Sequence, residues 1–175
     1  MRHDWKRLAL VFSAVFLAGF FIGLVGKLVY ESKVFKAYHW HKNTPPIIIN
    51  CYGNDFSEAQ FLRAVDYWTI RGHRIGFYEH NPPKSVCKNK KLHGFIILRK
   101  AGVFELPAGT LASTARGTSN LRIMWAEIKF RPGSQNLTLI NEHELGHALG
   151  YGHVEIEGHV MHPIFDKMGT KFFVP

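Results

Sequence analysis

Apolar residues fall into three kinds of spacing along this chain. In residues 8–26 they are continuous: nineteen positions with no charge, one hydroxyl and three glycines. A helix needs about twenty such residues to cross a bilayer, and no polar face remains that would suit a buried core helix. The pattern predicts one N-terminal transmembrane helix. Farther on, short apolar runs bounded by Pro, Gly or Asn predict strands at 47–52, 73–80, 92–98 and 121–130. Two stretches have helical spacing. Phe61, Leu62, Val65, Trp68 and Thr69 recur behind Asp55 or Ser57 as N-cap and stop at Gly72. Leu137, Ile140, Leu145, Ala148 and Leu149 recur behind Ser134 or Asn136, after a turn at Pro132-Gly133. Residues 106–117 are small, polar and glycine-containing, and read as a loop or irregular edge. The order is strand, helix, strand, strand, edge strand, helix and short tail. It describes an α+β domain of about 130 residues, enough for one core.

Charge orients this arrangement. Arg2, Lys6 and Arg7 precede the apolar stretch against a single Asp4, which leaves residues 1–7 in the cytoplasm. Residues 8–26 then form a signal anchor, 27–45 a linker beginning the far side, and 46–175 a periplasmic or extracellular domain. A cleaved signal would instead release a secreted protein. Its apolar core is usually shorter, however, and Lys27-Leu28-Val29-Tyr30-Glu31 offers no small-x-small cleavage site. The net charge of +9 divides into +4 for residues 1–41 (six Lys/Arg, two Asp/Glu) and +5 beyond. Lys84, Lys88, Lys90 and Lys91 cluster in a Pro- and Asn-containing stretch that reads as a solvated loop. Without interleaved aromatics it predicts no nucleic-acid partner. Cys51 and Cys87 allow one disulfide in an exported domain, or two buried reduced thiols; the sequence leaves both open.

The densest chemistry is His143-Glu144-Leu145-Gly146-His147-Ala148-Leu149-Gly150-Tyr151-Gly152-His153, which reads H-E-x-x-H-x-x-G-x-x-H. With 11 His in the chain, a lone His-x-x-x-His would say little. The full pattern says more. Residues four apart on a helix share a face, so His143 and His147 can reach one metal ion. Glu144 is turned too far to join them, but can hold a water beside it. Gly150 can end the helix and turn the chain, letting His153 supply a third nitrogen. Three histidines leave one tetrahedral position open, as in a catalytic rather than a structural zinc site.

This signature resembles that of the metzincin clan of zinc endopeptidases, and the order of elements before it is similar to their upper half-domain. Gly158-His159-Val160-Met161-His162-Pro163 is similar to their methionine turn, its Met-x-Pro ending most like the matrixins. The resemblance implies a metzincin-like fold with a mixed, twisted sheet and an active-site helix. It implies Zn2+ on His143, His147 and His153, Glu144 as catalytic base, and Met161 as an apolar floor. It further implies hydrolysis of internal bonds in a protein or peptide substrate held as an added strand along residues 121–130, the cleft edge. His159 and His162 read as surface or supporting residues, since three ligands are already placed. Pro163 stands where some members have a tyrosine near the metal, and neither cysteine has the surroundings of a zinc-capping pro-segment. An inactive membrane-tethered binding module, or a cell-envelope peptide hydrolase, would use the same scaffold. An intact Glu144 argues against the first.

Overall fold

Ile47-Ile48-Ile49, β-branched residues behind two prolines, form the first strand, β1 (Ile47–Asn50). The computed structural model describes residues 39–40 and 44–173, which lie in one compact unit, Ala37–Phe173. The expected membrane helix at 8–26 and the N-terminus at 1–7 fall outside the described residues. Among the described residues, no helix is long and apolar enough to cross a membrane.

Helix α1 (Glu58–Thr69) follows β1. Ser57 is its N-cap, accepting from Gln60 N at 3.4 Å, and the chain leaves it through Gly72 at φ 89°. Its inner face buries Phe61, Ala64 and Trp68 completely; Leu62, expected among them, is 37 % exposed. Strand β2 is only Tyr78–Glu79, so most of the expected strand at 73–80 is irregular chain. The lysine-rich stretch, expected as a loop, contains the short helix α2 (Lys84–Lys88). Cys87 on this helix is disulfide-bonded to Cys51 just after β1, settling the alternative that the sequence left open. Closing a loop of 36 residues restricts the unfolded chain by roughly 3–4 kcal/mol on the loop-entropy account.

Strands β3 (Phe95–Lys100), β4 (Ala112–Ser119) and β5 (Arg122–Phe130) complete one five-stranded sheet in the order β2-β1-β3-β5-β4. The β1–β2, β1–β3 and β3–β5 pairs are parallel, and β4–β5 is antiparallel. Consecutive burial of Ile96, Ile97 and Leu98 shows that both faces of β3 are covered. Arg99 Nε lies 2.6 Å from Glu127 Oε1 on β5, and the same guanidinium donates to Asn89 O beside α2.

One expectation is corrected here. Residues 121–130 are an inner strand, paired on both sides, and the edge is β4, within and beyond the stretch read as a loop or irregular edge. The reason lies in side chains. Ala112, Thr114 and Arg116 face inward while Ser113 and Ala115 are exposed, so a strand alternates small with small and polar with polar. No hydrophobic contrast marks it. A bulge at Gly117/Thr118 ends its regular pairing, where Gly117 leaves room for the Trp125 indole.

Helix α3 (Ile140–Leu149) packs against α1 and β4. Neither Ser134 nor Asn136 caps it. Both lie in a preceding 3-10 turn, where the Ser134 hydroxyl faces Leu111 O at 2.6 Å and Arg131 O at 2.8 Å; Leu139, at φ 69°, starts α3. From the expected linker, His39 forms a bridge to Arg122, and Trp40 Nε1 donates to Ala148 O of α3 at 3.0 Å.

Candidate metal centre

Two histidines four apart on α3 set the site's base. A carbonyl can only accept, so hydrogen bonds to carbonyls fix each ring's proton. His143 Nδ1 donates to Val160 O at 2.8 Å and His147 Nδ1 to Tyr151 O at 2.9 Å. Their Nε2 atoms are therefore lone pairs. Gly150, at φ 118°, closes the helix with its N–H on Gly146 O and His147 O, and the chain turns to bring in His153 as expected. His147 Nε2 then lies 3.0 Å from His143 Nε2 and 3.1 Å from His153 Nε2. Nitrogens of a tetrahedral zinc site, at about 2.0–2.1 Å from the metal, stand about 3.3 Å apart. These rings are spaced to suit a cation. Among the described residues they are the one group of three or more ligand-type side chains so gathered.

The electrostatics agree. Burial pushes His143 down to about 4, with its Val160 bond opposing and neighbouring histidines adding to the effect. Burial and His143 together push His147 down to about 3. Burial also lowers His153. All three rings are thus neutral near pH 7, the form that binds metal. Exposure increases from buried His143 through half-buried His147 to exposed His153, so the cluster opens towards solvent on the His153 side.

Glu144 is 5 % exposed, and burial pushes its carboxyl up to about 7 against the lowering effect of the Thr114 hydroxyl. Thr114 Oγ1 lies 2.6 Å from Glu144 Oε2 and 3.1 Å from Glu144 O. Two residues along β4, Arg116 Nη1 donates to His147 O at 2.5 Å, beside the last turn of α3. The cleft between β4 and α3, with its far wall from the tail at Pro163, Phe165 and Met168, encloses about 700 Å³.

Met161 is fully buried beneath α3. A Cβ added at Gly146 would overlap its Sδ and the Trp68 ring, so this motif glycine permits close approach. Trp68 Nε1 also donates to Glu142 O at 2.8 Å. Gly146→Ala is therefore expected to cost about 1–3 kcal/mol through overpacking. Chemical denaturation would measure it; unchanged stability would show that Met161 and Trp68 can retreat.

His159 and His162 stay outside the ligand cluster but are not surface residues: they are 0 % and 6 % exposed. His159 Nδ1 accepts from Met161 N at 3.0 Å, leaving Nε2 to face Phe173 O at 3.1 Å. It ties the tail to the methionine turn. His162 Nδ1 accepts from Ile164 N at 3.0 Å.

Thr114, Arg116 and Gly146 were not singled out by sequence reasoning, and Trp40, with His39 and His41, read as an interfacial aromatic-polar patch rather than a partner of Ala148 O. The first two sit on a strand without apolar contrast, and Gly146 acts through contacts to the distant Trp68 and Met161.

The sequence model of the Matrixin family matches residues 55–174. No curated protein matches the chain. The match runs from just before α1 through the metal-site helix and the methionine turn into the tail, and so spans every strand of the sheet but β1, the cleft and the His cluster together. The chain belongs to the matrixin family of zinc-dependent metallopeptidases.

Proposed function

We propose that this protein is a zinc endopeptidase that hydrolyses internal peptide bonds of extended protein substrates. The observation that carries this reading is the meeting of three bare imidazole nitrogens beside one buried carboxylate, in a cleft whose wall is an open strand edge. His143, His147 and His153 hold the metal. When bound, zinc supplies Lewis acidity, making water acidic near pH 7 and taking up negative charge from a polarised carbonyl. Glu144 is the general base: its carboxylate accepts the proton of the attacking water and passes it to the leaving amine. The outer edge of β4 offers backbone N–H and C=O groups on which a substrate can pair as an added strand. Met161 and Gly146 keep the floor under the two helical histidines packed and dry.

The same reading places residues 8–26 in the membrane, residues 1–7 in the cytoplasm and the catalytic domain outside. The Cys51–Cys87 disulfide supports an oxidising compartment. Full-length protein stripped of metal by a chelator should stop cleaving casein, an unstructured substrate, and resume when zinc is returned. Cleavage that persists after stripping overturns the zinc assignment; zinc-loaded protein that leaves casein intact overturns the peptidase reading.

A further inference from the structure

We infer that Thr114, on the cleft strand, is the residue that positions the Glu144 carboxylate for proton transfer. The inference rests on the peptidase reading and adds a component that the zinc signature does not contain.

Three observations carry it. First, Thr114 and Glu144 sit on different elements, 30 positions apart, yet their oxygens are 2.6 Å apart, the short distance of a hydroxyl donating to a charged acceptor. Second, no other side-chain bond to the Glu144 carboxylate is present among the described residues. The carboxylate is 5 % exposed, so little solvent competes to orient it. Third, the hydroxyl has a second acceptor, Glu144 O, at 3.1 Å. A hydroxyl has one hydrogen and can also accept. While Glu144 is charged, that hydrogen bonds Oε2. Once Glu144 holds the water's proton, a turn of the hydroxyl can direct the hydrogen to Glu144 O and leave its lone pair for the new carboxyl O–H. Thr114 thereby stays bonded to the base on both sides of the transfer, without moving its own heavy atoms.

The neighbouring inward residue clarifies the role. Arg116 also bonds α3 and the turn after it, but through the backbone carbonyls of His147 and Tyr151, and it joins strand to helix. Thr114 alone on β4 reaches the carboxylate. It is a positioning residue, acting on the reaction through Glu144.

The test uses the full-length chain and a fluorescence-quenched peptide built on a cleavage site found in casein. Thr114→Val keeps the shape and removes the hydroxyl. It should lower kcat roughly 10- to 100-fold, the range for loss of an outer partner at a metal site, with KM, zinc content and melting temperature unchanged. Thr114→Ser should recover most of the loss. In a Glu144→Gln background, Thr114→Val should lower kcat no further, because the two residues act as one unit. Wild-type kcat in Thr114→Val overturns the inference while leaving the peptidase reading intact. Loss of zinc or of thermal stability in step with kcat, or a Ser variant as impaired as Val, shows a structural tie and overturns it also. If wild type and Glu144→Gln are equally inactive on casein, the peptidase reading fails, and this inference fails with it.

Discussion

Replacing Glu144 by Gln is expected to reduce casein cleavage by about 10²- to 10⁴-fold while zinc content and folding stay as in the wild type. Gln has the same shape and keeps a carbonyl oxygen to accept from Thr114, but its amide cannot take up a proton. Burying a neutral amide also removes the desolvation that pushes the carboxyl up to about 7, so the fold should lose nothing. Metal analysis beside a turnover assay reads both halves of the result. Near-normal turnover would remove Glu144 from the chemistry, and loss of zinc would make it a structural support for the ligands.

His147→Ala should behave oppositely, losing zinc and activity together. His147 is the central member of the cluster, about 3 Å from both other ligand nitrogens, so its removal leaves two rings that no longer close a site. The loss of zinc affinity should exceed the roughly 10- to 100-fold typical of an outer partner. A metal that binds only the folded protein stabilises it by about 4 kcal/mol at a thousand times its Kd. Added zinc should therefore raise the melting temperature of wild type and leave that of His147→Ala unmoved. A zinc-dependent rise in the variant would exclude His147 as a ligand.

The acid response of metal-stripped protein follows from the same rings. Their folded pKa values lie below the unfolded value of about 6.5, so more protons are bound unfolded than folded within that window. The stability from keeping them neutral is complete above about pH 6.5. It is lost as pH falls through about 4 for His143 and about 3 for His147. His147→Ala should make that loss shallower from about pH 6.5 downward and end it near pH 4.

The histidine cluster was legible because a helix turns fixed spacing into shared position: four residues give one face, and Gly150 can adopt the left-handed conformation that turns the chain back after it. The parallel inner strands were legible for a related reason. Burial on both faces demands apolar runs, and Ile47–Ile49 and Phe95–Leu98 are such runs. The edge was legible only in part, as a loop or irregular edge at 106–117. β4 has helix and cleft on one face and exposed Ser113 and Ala115 on the other, so its composition resembles a loop. Placing the cleft edge at 121–130 followed from the family resemblance, not from the pattern of residues. The 3-10 turn at Ser134–Asn136 was likewise hidden, because the Ser134 hydroxyl is held there by Leu111 O, 23 residues back, as well as by nearby Arg131 O. The disulfide was half legible: the pairing was the single one available, but its formation depends on α2 bringing Cys87 to within 5.5 Å of Cys51, measured between Cα atoms.

The bulge at Gly117/Thr118 makes β4 a ruler. From Ala112 to Gly117 the strand keeps regular register, and at Gly117/Thr118 that register shifts. Six residues at about 3.3 Å each give roughly 20 Å of straight edge. A polypeptide must present that much extended chain before its backbone can follow the edge into the site. Compact domains, whose strands are already paired and whose loops are tightly turned, cannot do so. On the proposed peptidase reading, selection would rest on the slack in a target at least as much as on its side chains, favouring linkers, tails and unfolding chains.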